Sequence, residues 1–160
     1  MIRAMREVSI LIVILASVFS SRPAAASETS SGFPFWVANI KASYPQIMSA
    51  ELGATYQLKI PDSNVSHGPF ISYEPGLTGQ KVHAGYSVAI VHGGIEWIAV
   101  GRLSASYFQP WSSEFGLQSG ANYYGIELVG SYNMFLLSAG QYFNSENDKS
   151  ITAVGVGFGF

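Results

Sequence analysis

The sequence predicts an all-β protein, a single antiparallel up-and-down β-barrel of eight strands that crosses a membrane. Three observations carry this. Residues 151–160 alternate, with Thr152, Val154, Val156, Phe158 and Phe160 on one side and Ile151, Ala153, Gly155, Gly157 and Gly159 on the other. Branched and aromatic residues outside with small ones inside suit the wall of a narrow membrane barrel. Charged residues make up only 11% of the chain and aromatics 14%, against a usual charged share of about 25%. Finally, past Phe19 no apolar run approaches the ~20 residues of a spanning helix. That leaves strands to do the crossing.

The chain opens on what reads as an export signal. Arg3 and Arg6 form a basic start, Val8 to Phe19 is an apolar run broken only by Ser9 and Ser17, and Ala24 and Ala26 are set as an A-x-A cleavage site. The run is too short for a spanning helix, which needs ~20 residues. Residues 1–26 are therefore expected to be a cleaved signal peptide and residues 27–160 one barrel domain. Cleavage leaves five basic and nine acidic residues, with no nucleic-acid footprint. There is no Cys, hence no disulfide scaffold and no thiol chemistry.

Period-2 alternation between turn signals marks eight strands, at 35–43, 47–59, 69–74, 81–91, 95–108, 123–131, 134–143 and 151–160. The first is open between strand and helix, because Trp36, Ile40 and Tyr44 also fall at helical spacing. The second puts Met48, Ala50, Leu52, Ala54, Tyr56 and Leu58 outside and Ser49, Glu51, Gly53, Thr55, Gln57 and Lys59 inside. The third and fourth pair through Glu74 opposite Lys81, Ser72 opposite His83 and Phe70 opposite Gly85. Gly93-Gly94 reads as a two-residue turn, setting His92 opposite Ile95 and Ile90 opposite Trp97. Both hairpins assign the same inner and outer faces. On the sixth strand Tyr124, Ile126, Leu128 and Tyr132 face out. The seventh requires Gln141 to sit outside, near a rim, if Ser138 and Gly140 sit inside.

An even strand count puts both ends on the periplasmic side. The loops at 109–122 and 144–150 then fall outside the cell. The polar segment 60–68, read as a connection, is a moderately long exception among short periplasmic turns. Aromatics near strand ends (Trp36, Tyr44, Tyr73, Trp97, Tyr107, Phe108, Trp111, Tyr123, Tyr124, Tyr132 and Phe143) read as girdles at the two bilayer interfaces.

The inner face gathers the strand charges. Glu51, Glu74, Lys81, His83, Glu96, Arg102 and Glu127, with Lys41 and Lys59, are expected to fill the lumen as a structural cluster. An eight-stranded interior is only wide enough for side chains, and buried charges need partners. His67 and His92 read as solvated, in a loop and at a turn. No metal-ligand spacing, cofactor fingerprint or recommended nucleophile is present, so no cofactor, metal or catalytic residue is assigned.

Signal, alternating strands, glycine turns and a terminal Phe160 together resemble the small bacterial outer-membrane β-barrel class that includes OmpA- and OmpX-like proteins. The resemblance is one of architecture across the mature chain. It implies residence in the Gram-negative outer membrane, contact with its lipid, and assembly by the barrel-assembly machinery through Phe158 and Phe160. The function expected is structural or surface-interacting, with no wide pore and a possible extracellular ligand at the loops. Two alternatives stand beside it. One is an outer-membrane lipid-modifying hydrolase using His83; barrel lipases carry a His and Ser two apart, whereas here Gly85 follows His83. The other is a secreted soluble barrel binding a small hydrophobic ligand, with its Leu/Tyr faces turned inward.

Overall fold

Eight strands dominate the chain because alternation, not helical periodicity, is what its apolar residues offer. A computed structural model describes residues 32–92, 97–146 and 149–159. The strands are β1 (Gly32–Tyr44), β2 (Ile47–Lys59), β3 (Val65–Pro75), β4 (Gly79–His92), β5 (Trp97–Pro110), β6 (Tyr123–Tyr132), β7 (Phe135–Asn144) and β8 (Ser150–Gly159). Each pairs antiparallel with its sequence neighbours, and β1 pairs with β8, closing the ring. The export segment, the Gly93-Gly94 turn, Glu96 and Phe160 lie outside the described residues. Among those residues no helix is long and apolar enough to cross a membrane.

Ladder partners followed once round the ring fix its stagger. From Ala42 they run through Val156, Leu137, Gly130, Gly101, Val88, His67 and Leu58, and return to β1 at Gly32, ten residues from the start. A closed sheet needs such a stagger, with strands tilted by roughly 35–45°. One end of the ring carries residues 45–46, 76–78, 111–122, 145–146 and 149 and is called the loop end. The other, the terminal end, carries residues 60–64 and 133–134, the end of β4, the start of β5 and the outer ends of β1 and β8.

Several sequence expectations hold and several are corrected. The first element is a strand, because it must bridge β2 and β8. The β3–β4 register is as read, with Glu74 opposite Lys81 and Ser72 opposite His83. The β4–β5 register is not. His92 faces Trp97 and Ile90 faces Ala99, so four residues rather than two separate the paired ends. A slip of two leaves every side chain on its predicted face, which is why the inside and outside assignments survive it. β3 begins at Val65 rather than at residue 69. Its polar start is strand because Ser66 and Gly68 turn inward while His67 turns outward to Tyr86. The connection before it shrinks to residues 60–64, removing the anomaly at that turn.

Burial alternates along the strands, and on the outside the apolar residues stay uncovered. Trp36 is 78% exposed, and Ile40, Leu52, Leu103, Ile126, Leu128, Leu137, Val154 and Phe158 are each more than half exposed. Gln141 sits outside as required, accepting from the Thr152 hydroxyl at 2.7 Å. Phe108 and Tyr123 depart from the girdle expectation. They face inward at the loop end and are buried with Leu117, Ala121, Tyr142, Ile151 and Ala153.

That apolar group lies under the 111–122 loop, which reaches across the mouth from β5 to β1 on the opposite side of the ring. The Tyr44 hydroxyl donates to the Phe115 carbonyl at 3.1 Å and the two rings meet edge to face at 5.7 Å. Trp111 donates its backbone N–H to Thr78 O and its indole N–H to Leu77 O, at 3.0 and 2.7 Å. Phe115 has a φ of 57°, a left-handed turn for a bulky side chain. The loop end is thus a fixed cap.

Candidate functional site

The predicted charge cluster assembles in the half of the lumen beneath this cap. Inward positions of β1 to β6 supply it, since alternation points every second residue to the interior. Lys41 is its hub. Its ammonium touches the Glu74 carboxylate and lies 3.4 Å from both Glu51 and Glu127. Arg102 grips Glu51 with two parallel bonds at 2.7 and 3.0 Å, the fork geometry that makes guanidinium–carboxylate pairs specific. Lys81 lies 3.1 Å from Glu127 and 3.8 Å from Glu74, with its ammonium 5.3 Å from the Tyr142 ring centre.

Neutral groups complete the shell of each carboxylate. Glu51 accepts from the Ser72 hydroxyl at 2.6 Å and from Asn39 at 2.8 Å. Glu74 accepts from Ser49 at 2.7 Å and Glu127 from the Tyr142 hydroxyl at 2.5 Å. Three carboxylates thus face three permanent cations, all essentially buried. Buried charges are tolerated when paired and hydrogen-bonded on this scale.

His83 adds a relay. Its Nε2 lies 3.1 Å from Glu74 and its Nδ1 2.8 Å from the Ser106 hydroxyl. A carboxylate only accepts, so Nε2 carries a proton toward Glu74. Carboxylate, imidazole and hydroxyl in line is the arrangement that activates a nucleophile. Here all three are buried under the cap, and Ser106 also meets the Ser104 hydroxyl at 3.2 Å. Ligand atoms of Glu74, His83 and Glu127 also lie within 4.8 Å of one another, close enough for a metal ion. Lys41 and Lys81 already place two cations against those carboxylates, so a metal would enter against like charge.

Of the predicted cluster, Glu51, Glu74, Lys81, His83, Arg102 and Glu127 come together, with Lys41 at their centre. Lys59 does not join them; it is exposed at the terminal end. Ser49 and Ser72, placed inward from sequence, join the cluster as donors, and Asn39, Ser106 and Tyr142 join it from positions whose inward parity was the available signal. Gly157 explains part of the small face of β8. A Cβ there would meet the Ile40 carbonyl and come within 2.9 Å of Lys41 Cγ, so the bare position makes room for the hub.

Toward the terminal end the lumen stays polar but loses its charges. Gln57 donates to Thr55 and Ser87 at 2.6 and 2.5 Å. Those hydroxyls reach the carbonyls of Pro69 and Gly68. Phe70, under the Arg102 guanidinium at 5.3 Å, lies between the two groups along β3. The chain matches no protein-family model, no curated protein and no solved structure.

Proposed function

We propose that this protein is a small integral β-barrel of the bacterial outer membrane, with a structural or surface-interaction role and a lumen filled by paired side chains. The observation that carries this is the inversion of the wall. Apolar side chains stand exposed around the outside while Lys41, Glu51, Glu74, Lys81, Arg102 and Glu127 are buried inside. Water as the outer solvent would penalise the outer face, since soluble proteins rarely expose apolar patches beyond a few hundred Å². Lipid matches that face and leaves the polar groups paired inside. Strands of 10 to 14 residues meet the roughly 9–11 that a tilted strand needs to span a bilayer.

On this reading residues 1–26 export the chain, Phe158 and Phe160 present the terminal strand to the barrel-assembly machinery, and outer-membrane lipid covers the belt. The capped, charge-filled lumen supports a closed wall rather than a wide channel, and partners outside the cell would meet the 111–122 and 145–149 loops. A soluble ligand-binding barrel would need the Leu and Tyr faces inside, and Leu52, Tyr56, Tyr124 and Leu128 are exposed instead. The hydrolase alternative has its relay, but Ser106 is sealed from substrate.

The test is fractionation of producing cells, together with surface labelling of a tag placed between Asn144 and Ser150. The expected result is a membrane-bound protein with heat-modifiable gel mobility whose tag is labelled in intact cells. A tag recovered only in the soluble periplasm would overturn the reading. Lipid A mass spectra are expected to be the same with and without the protein, and a changed spectrum would revive the hydrolase.

A further inference from the structure

The stagger of the ring leaves an overhang at the terminal end. Among the described residues β8 pairs with β1 from Tyr44 as far as Asn39, where it meets Gly159, whereas β1 continues seven residues further to Gly32. Over residues 32–38 the pairing among the described residues is with β2 alone. Among the described residues, no strand pairs with the other edge of this stretch. Phe33 and Phe35 have the same parity as buried Val37, Asn39 and Lys41, yet each is 44% exposed.

Below the neutral Gln57 group, this face carries a pocket of about 310 Å³ lined by Phe33, Lys59, Ser63, Asn64, Ser66 and Val91, among others. Its composition is divided. Phe33 and Val91 offer apolar surface. Lys59 and Ser66 face each other across the β2–β3 ladder, and Ser63 accepts the Val65 N–H at 3.1 Å, which leaves its own proton to donate. Lys59 differs from the strand cations Lys41, Lys81 and Arg102. Each of those touches a buried carboxylate, whereas Lys59 has no ion pair among the described residues.

We propose that this pocket binds one anionic, single-chain amphiphile, its head on Lys59 and the neighbouring hydroxyls and its chain along Phe33 and Val91. Its volume lies at the small end of the ~300–1,000 Å³ usual for ligand sites, suiting one short acyl chain and not two. Phe33, which is 44% exposed, opens the pocket toward the terminal end and gives such a chain its entry. Carboxylate and phosphate heads share the required chemistry.

Native mass spectrometry of the folded protein in neutral maltoside micelles tests this with four probes: dodecanoate, dodecyl phosphate, dodecyltrimethylammonium and inorganic phosphate. One dodecanoate or one dodecyl phosphate is expected to bind per protein, whichever of the two binds more tightly naming the head. Dodecyltrimethylammonium is expected at least tenfold weaker, and inorganic phosphate is expected to show no adduct at the same concentration. Lys59→Glu should weaken the anionic probes at least tenfold, and Val91→Trp should abolish binding by filling the pocket. Heat-modifiable mobility verifies that each variant is folded, and Lys59→Gln replaces any Lys59→Glu protein that is not. Equal binding of the cationic probe, undiminished binding by the folded Lys59 variant, or equal binding of inorganic phosphate would overturn the proposal. So would binding that appears only after removal of residues 27–31, since the pocket would then belong to the chain's own preceding segment.

Discussion

The two halves of the lumen solve the same problem differently. Beneath the cap, six charged side chains and His83 are packed so that each carboxylate has several donors. Toward the terminal end, Thr55, Gln57 and Ser87 bond to one another and to two backbone carbonyls with no charge at all. The first half is sealed by Phe108, Tyr123 and Tyr142 and the second opens on the overhang. Charges therefore sit where water is excluded and their partners are fixed. Weaker neutral groups, buried as well, sit nearer the terminal end. A sealed polar network is stable only when complete, so the capped half should be the less tolerant of substitution.

The strongest way to break that contrast is to remove the hub. Lys41→Met leaves Glu51, Glu74 and Glu127 facing only Lys81 and Arg102. Breaking a buried pair by deleting one partner typically costs about 3–5 kcal/mol, and Lys41 serves three carboxylates. Urea unfolding of the folded protein in micelles, followed by gel mobility, should show a loss of that order. Lys41→Met with Glu74→Gln restores the balance of charge and should recover at least half of the loss. A single variant as stable as the native protein would mean that the cluster carries no net pairing energy.

A second substitution sharpens the distinction between the faces of one strand. Leu103 stands on the outside of β5, more than half exposed, beside inward Ser104. In a bilayer, Leu103→Arg near mid-strand should cost about 2–4 kcal/mol. On a water-facing surface the same change would fall within roughly ±0.5 kcal/mol. Unfolding from phospholipid vesicles distinguishes these outcomes, and a near-zero effect would count against lipid as the outer solvent.

What the sequence discloses, and what it hides, follows from the same geometry. Alternation has a period of two, so parity alone sorted Glu51, Glu74, Lys81 and Arg102 inward, and even the wrong β4–β5 register left them there. Parity says nothing about height. Lys41 and Glu127 are 86 residues apart in sequence and meet only because ten residues of stagger bring β1 and β6 to a common level. Tyr142, Phe108 and Tyr123 were hidden for a related reason. An aromatic near a strand end suits a girdle and an inward plug equally well, and parity was the signal that could have separated them. At residues 66–68 the misreading was chemical. Ser66 and Gly68 look like loop, but they are the inner face of a strand whose neighbours are polar too.

The smallest effect is expected in the neutral half. Gln57→Met removes two donated bonds, yet Thr55 and Ser87 stay within 3.2 Å of each other and keep their carbonyl partners. The native Gln57 carbonyl has no hydrogen-bond partner among the described residues, so the substitution also removes a buried, unsatisfied acceptor. A typical bond contributes about 0.5–1.5 kcal/mol net, and an orphaned buried group costs about 1–3. Those terms oppose each other here, and the methionine stem retains most of the packing. The variant should therefore unfold in urea within about 1 kcal/mol of the native protein. A loss matching that of Lys41→Met would show the neutral group to be as tightly specified as the charged one, and the proposed division of the lumen would fall.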